Sequence, residues 1–73
     1  MKFADMNQKG HIITEREHEI LVLLSRGLTS PQIAQTLSLS TETIKWYRKQ
    51  LLAKFSAATS AEVVRKAVEM KIL

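Results

Sequence analysis

Four basic residues lie within ten positions of one another: Lys45, Arg48, Lys49 and Lys54. Lysine and arginine donate hydrogen bonds to phosphate oxygens and to the acceptor atoms of guanine. Glu42 is the only acid near this cluster, and Trp46 stands inside it. The whole chain has a net charge of +4. A local excess of cations of this kind favours a polyanionic partner, although a solvated helix face would have the same composition.

The residue types that enzymes need are not arranged for catalysis. His11 lies in a polar N-terminal stretch, and His18 stands alone between two glutamates without a second histidine at metal-binding spacing. The chain contains no cysteine, which excludes disulfides and thiolate zinc sites. We therefore expect no catalytic residues, no metal and no cofactor. No apolar run approaches the roughly 20 residues that span a bilayer, so we expect no membrane partner and a cytoplasmic location.

The elements that carry the basic cluster are predicted to be helices. Residues 1–12 lack periodicity, and we interpret them as an arm or the end of a linker. Thr14 and Glu17 form a capping-box pattern that predicts the start of the first helix. Ile20, Leu21 and Leu24 give this helix an apolar stripe, and Gly27 predicts its end.

The next two helices follow closely, with a turn at Ser38. We expect Ser30 to cap the second helix, with Pro31 at the first helical position. We expect the third helix to run from a Ser40 cap to about Phe55. At about 100° per residue, Ile44, Leu51 and Phe55 cluster on one side of it. Two short helices around a tight turn are typical of a helix-turn-helix, whose second helix enters the major groove of DNA.

A fourth helix is predicted from near Thr59, where Glu62 completes a second capping-box pattern, to about Lys71. Val63, Val64, Ala67 and Val68 give this helix an apolar band wider than one packing seam requires. No segment alternates in the way that a β-strand does. The predicted fold is therefore all-α, a bundle-like arrangement of four helices in one domain over residues 13–73.

An ordered set of short motifs resembles the LuxR/FixJ-type (GerE-like) DNA-binding domain of bacterial transcription regulators. In order along the chain, the motifs are T-E-R-E, G-L-T, I-A-x-x-L, S-x-x-T-I-K and K-F, and the resemblance covers residues 13–73. It implies four helices, of which the third reads the major groove and the fourth forms a homodimer contact. Tyr47, Gln32 and the Ser56-Ala57 pair depart from the residues most frequent in that family.

The resemblance also assigns roles to single positions. The residues implied to face the bases are Lys45, Trp46 and Lys49, which the helical wheel independently places on the exposed side. The positions implied to contact the DNA backbone or frame the third helix are Thr29, Ser30, Thr43, Tyr47 and Arg48. Lys54, at the end of the third helix, is a further candidate for a phosphate contact or for an interaction with the helix dipole. Val64 and Val68 are the candidates for the dimer interface.

The predicted function is sequence-specific binding of double-stranded DNA in transcription regulation. A homodimer is the expected assembly, and RNA polymerase is a further candidate partner. The resemblance fits both the C-terminal output domain of a response regulator and a small stand-alone regulator, and the sequence leaves both open. Two alternatives also stay open: a promoter-reading domain of an alternative sigma factor, and a helix-turn-helix used for protein contact.

Overall fold

The computed structural model describes residues 13–73, and the predicted arm and His11 lie outside this part. Its four helices are α1 (Glu15–Ser25), α2 (Ser30–Leu37), α3 (Thr41–Lys54) and α4 (Ser60–Glu69). The part of the chain that the structure describes contains no β-strand. The predicted all-α fold of four helices is confirmed.

The first two helices begin with complete capping boxes. Thr14 caps α1 as predicted, since its side chain accepts from the Glu17 N–H while Glu17 accepts from the Thr14 N–H. The predicted cap of α2 is wrong: Thr29, not Ser30, is the N-cap, and Pro31 is consequently the second helical residue. Gln32 closes this box by accepting from the Thr29 N–H at 2.8 Å. A glutamine serves this position as well as a glutamate does, which explains the departure at Gln32.

The starts of α3 and α4 follow the prediction more closely than their ends do. Ser40 caps α3, and Thr59 caps α4. The predicted capping box of α4 is wrong: Thr59 Oγ1 accepts from the Glu62 N–H, but the Glu62 carboxylate accepts from the Ala58 N–H at 2.8 Å and not from the Thr59 N–H. The bond from Ala58 holds the pKa of Glu62 below its ordinary value. Helix α3 ends one residue before Phe55, and α4 ends two residues before Lys71.

All four helices end in the same backbone arrangement, a Schellman motif. In α3, the Ala57 N–H donates to the Leu52 carbonyl at 2.9 Å and the Ser56 N–H donates to the Ala53 carbonyl at 3.2 Å. The other helices repeat this pair of bonds. The motif needs one left-handed residue, and the four that adopt this conformation are Gly27, Ser38, Ser56 and Lys71. Only one of these positions carries the glycine that signals such an end in a sequence.

The core is built around α3. Its inner residues Ile44, Leu51 and Phe55 are buried, as predicted. The buried apolar residues contributed by the rest of the described chain are Ile13, Ile20, Leu21, Ile33, Ala34, Val63 and Ala67. Each helix thus turns an apolar face toward α3 or its neighbours, and the opposite face of α3 stays in solvent.

Replacing Ser56 with glycine should stabilise the domain. A non-glycine residue in the left-handed conformation costs about 1–2 kcal/mol, and removing that strain outweighs the extra chain entropy of glycine, about 0.5–1 kcal/mol. We expect Ser56→Gly to raise the free energy of unfolding by about 0.5–1 kcal/mol in urea denaturation.

Gly27→Ala is the matched reverse change. A Cβ at Gly27 would meet no atom within 4 Å, so the change tests backbone strain alone. It should lower the free energy of unfolding by a similar amount, about 0.5–1 kcal/mol. A shift of the same sign in both variants would contradict this account of the helix ends.

Candidate nucleic-acid interface

The outer face of α3 brings together the three residues predicted to face the bases. Lys45, Trp46 and Lys49 line one shallow concave surface together with Glu42. Trp46 is 56% exposed, and both lysines are exposed. Within residues 13–73, neither lysine forms an ion pair. Two lysines without an ion pair and a large exposed ring system therefore share one face.

Tyr47 supports Trp46 from the side. The two ring centroids lie 5.1 Å apart at an interplanar angle of 80°, an edge-to-face contact that favours a fixed geometry. Tyr47 is half-buried and packs against the core. The aromatic pair thus connects the exposed face of α3 with the interior.

Arg48 joins α3 to the N-terminal ends of two other helices. Its Nη1 donates to Ser30 Oγ at 2.7 Å, and its Nε and Nη2 donate to Ser60 Oγ at 3.1 and 2.8 Å. Both serines follow a capping threonine, so the Thr-Ser pairs at 29–30 and 59–60 are a sequence signal that was missed. A guanidinium carries five N–H groups, and three of them are used in these bonds.

The C-terminal end of α3 is held by two lysines. Lys54 Nζ lies 2.7 and 2.9 Å from the two carboxylate oxygens of Glu17, a residue that is only 4% exposed. Lys66 on α4 donates to the carbonyls of Phe55 and Ser56, both at 3.0 Å. The first contact joins α3 to the start of α1, and the second satisfies carbonyls that the helix itself leaves open.

Comparison with known proteins agrees with this geometry. The family model for bacterial regulatory proteins of the luxR family matches residues 11–67. This chain belongs to the luxR family. It is a DNA-binding helix-turn-helix domain of the kind found in bacterial transcription regulators, as the sequence predicted.

Three relatives illustrate the range of the family. The chain is 33% identical over 71 residues to the uncharacterized response regulatory protein YgeK of Escherichia coli, covering 97% of this chain and 48% of the relative. It is 39% identical over 59 residues to the DNA-binding transcriptional activator DevR/DosR of Mycobacterium tuberculosis, covering 81% and 27%. It is 30% identical over 67 residues to the oxygen regulatory protein NreC of Staphylococcus carnosus, covering 92% and 31%. The chain thus spans about a quarter to a half of these relatives.

The other predicted contact residues of this luxR-family domain lie in varied environments. Thr29 is exposed at the start of α2, whereas Ser30 is buried beneath Arg48. Thr43 is half-buried in the first turn of α3, and its hydroxyl lies 2.8 Å from Ser40 Oγ. On α4, Val68 is 55% exposed and Val64 is half-buried.

Three other features bear on the remaining predictions. His18 Nε2 lies 3.2 Å from the Ile72 carbonyl, so this histidine joins α1 to the segment after α4. Among residues 13–73, no group of three or more histidine, aspartate or glutamate side chains is placed to hold a metal ion. None of the described helices combines the length and the apolarity needed to cross a bilayer.

Glu17→Gln should destabilise this luxR-family domain. Glutamine retains an acceptor for the Thr14 N–H, but the charge that pairs with Lys54 is lost. Because hydrogen bonds to buried charged groups contribute about 1.5–3 kcal/mol, we expect the free energy of unfolding to fall by about 1–3 kcal/mol.

Glu19→Gln is the matched control for this measurement. Glu19 accepts a single bond from Arg16 at 3.2 Å, and the two side chains are 42% (Arg16) and 54% (Glu19) exposed. Exposed ion pairs contribute little, so its loss should change the free energy of unfolding by no more than about 0.5 kcal/mol. Equal effects of the two changes in urea denaturation would show that the Glu17–Lys54 pair does not anchor α3.

Proposed function

We propose that this domain binds double-stranded DNA sequence-specifically, as a homodimer in which each α3 lies in the major groove of one half-site. The observation that carries the proposal is the outer face of α3. Trp46 is 56% exposed between two lysines that have no acidic partner within residues 13–73. An exposed indole beside unpaired cations suits a partner that offers both negative charge and apolar surface, as the major groove does.

In this proposal Lys45, Trp46 and Lys49 contact the bases. The two lysines lie four residues apart, so both ammonium groups reach the same wall of the groove. Each can donate to guanine O6 or N7. The indole face of Trp46 packs against thymine methyl groups or sugar edges, which covers its apolar surface.

The DNA backbone is contacted by residues around this centre. The N-terminal ends of α2 and α3 carry free N–H groups and partial positive charge, which favour phosphate. Arg48 has two N–H groups that do not bind the serines. In this proposal they donate to a phosphate at the edge of α3. The further backbone contacts proposed from the sequence are Thr29, Ser30, Thr43, Tyr47 and Lys54. For Ser30 and Lys54, which bond Arg48 and Glu17, the phosphate contact stays a prediction.

The homodimer contact is proposed for α4. Ala61, Val64 and Val68 follow one another at spacings of three and four residues, so they share a face. Val68 is 55% exposed, so covering it with another apolar surface would be favourable. A second copy of the domain offers the same face, and a two-fold dimer would bury it.

The role of the whole protein is also part of the proposal. Curated relatives are called a response regulatory protein and transcriptional activators. These names favour an output role in a signalling regulator, either as a C-terminal domain or as a small regulator of its own. RNA polymerase is the natural further partner of such a regulator.

Selection of bound duplexes from a random DNA pool tests the proposal. We expect an enriched inverted repeat whose half-site centres lie about one helical turn apart. If duplexes are retained but no motif is enriched, the domain binds phosphates alone. Absence of retention even at low salt, with the fold intact, would favour a helix-turn-helix that contacts protein.

Replacing Lys45 or Lys49 with alanine should weaken binding to the selected operator. Each change removes one base contact of about 1–3 kcal/mol and leaves the buried side of α3 untouched. Titration of the labelled operator measures the loss. Lys71→Ala, which removes one exposed cation from the C-terminal end of α4, should bind within about twofold of the wild type. Unchanged affinity in both α3 variants would remove this face from the reading role.

Val68→Glu should impair dimerisation before it impairs folding, because a charge would be buried in the α4 contact but is solvated in the monomer. We expect loss of cooperative binding to the two half-sites, with an unfolding midpoint close to that of the wild type. Met70→Glu is the control, since Met70 is 39% exposed and lies about 200° further round the helix axis. Retained cooperativity in Val68→Glu would argue against α4 as the interface.

A further inference from the structure

Glu42 belongs to the outer face of α3 but has no part in the proposed contacts. It is exposed in the first turn of the helix and lines the same concave surface as Lys45, Trp46 and Lys49. At about 100° per residue, these four side chains fall within an arc of about 100°. A partner that covers the two lysines and the indole therefore also covers the carboxylate.

Glu42 forms no ion pair within the described chain. Most acids of residues 13–73 form ion pairs: Glu17, Glu19, Glu62 and Glu69. Glu42 and Glu15 form none in this part of the protein. A carboxylate that meets DNA without a hydrogen-bond donor would be repelled by the phosphates and would lose its hydration. Lys45 and Lys49 on the same surface offset part of this repulsion, and a hydrogen-bond donor in the groove would satisfy the carboxylate itself.

The interaction of a first-turn glutamate with the helix dipole is a purely structural alternative. Glu15 occupies the equivalent place, since it is exposed in the first turn of α1. A dipole effect would be common to both residues, whereas the proposed α3 contact with DNA involves only Glu42. The pair therefore separates the two explanations.

We propose that Glu42 determines specificity by accepting a hydrogen bond from the N4 amino group of a cytosine, so that each half-site contains a C·G pair at the position it reaches. The inference rests on the proposed function and adds an acceptor to a face that otherwise offers donors. Lys45 and Lys49 select guanine, and Glu42 selects cytosine.

The chemistry of the base edges supports cytosine over the other three bases. In the major groove guanine presents two acceptors, and thymine presents an acceptor and a methyl group. Adenine presents a donor beside the N7 acceptor, which repels a carboxylate. Cytosine alone presents a donor without an acceptor on the same base.

The cytosine occupies a different position from the guanine that Lys49 contacts. Seven residues separate Glu42 from Lys49, which is about 10 Å along the helix. This distance corresponds to about three base-pair steps of about 3.4 Å when the helix follows the groove. The two preferences should therefore appear as separate columns of the half-site.

The test repeats the duplex selection with the wild type and three variants, followed by titration of single operators. The wild type should enrich cytosine at one position of the half-site and bind at least about fivefold more weakly when that C·G pair becomes T·A. Glu42→Gln should change the preference at this position alone to adenine, because an amide accepts from N6 and donates to N7. Glu42→Ala should lose the preference there and retain the other positions. Glu15→Gln, an identical loss of charge, should enrich the wild-type motif.

The outcomes separate this inference from the function on which it rests. If the wild type enriches no motif, the proposed function fails. If the wild type enriches a motif that Glu42→Gln and Glu42→Ala share unchanged, the function stands and the cytosine contact is wrong. Equal weakening of every operator by both variants, with urea denaturation showing reduced stability, would assign Glu42 a structural role and overturn the inference.

Discussion

Burial of one side of α3 is the constraint on which the rest of the molecule depends. Ile44, Leu51 and Phe55 face the interior, and the first two are at most 1% exposed. The helix cannot rotate by one position, about 100°, without moving these residues into water and charged residues into the core. The same burial that stabilises the domain therefore decides which side chains of α3 are presented outside.

This constraint divides the four basic residues of α3 into two groups, one that contacts other parts of the domain and one that faces solvent. Arg48 and Lys54 are used inward, on Ser30, Ser60 and Glu17. Lys45 and Lys49 stay outside. Within residues 13–73, no buried side-chain nitrogen or oxygen lacks a hydrogen-bond partner, so the inward group adds positional precision without an unsatisfied polar atom. A helix held at its middle and at its C-terminal end can offer a rigid outer face to a partner.

The sequence predicted the helices well because local signals specify them. The Thr14–Glu17 box, the Ser40 cap and the apolar spacing of α3 each act within one or two turns. The cap of α2 was misassigned because Thr29 and Ser30 are both good N-caps, and only the reach of Gln32 back to Thr29 decides between them. The left-handed ends at Ser38 and Ser56 gave no signal, since serine rarely adopts that conformation.

The partners of Arg48 and Lys54 were beyond sequence reasoning for a different reason. Arg48 bonds residues 12 and 18 positions away, and Lys54 bonds one 37 positions away. A helical wheel describes one helix and cannot say which neighbour meets it. The exposed residues of α3 were easier to predict, because a side chain opposite a strongly apolar seam faces solvent whichever helices pack against that seam.

In the proposed binding mode, folding and DNA reading are coupled because both depend on α3. A chain of this size has a single modest core, which rarely supplies more than about 3–5 kcal/mol. Three helix ends place serine or lysine in the left-handed conformation, which reduces that stability further. A ligand that binds only the folded state stabilises that state by mass action. An operator bound to the outer face of α3 would therefore also stabilise the burial of its inner face. In this proposal, substitutions on the inner face affect binding through folding, whereas substitutions of Lys45 and Lys49 affect binding directly, and this difference distinguishes a reading residue from a positioning one.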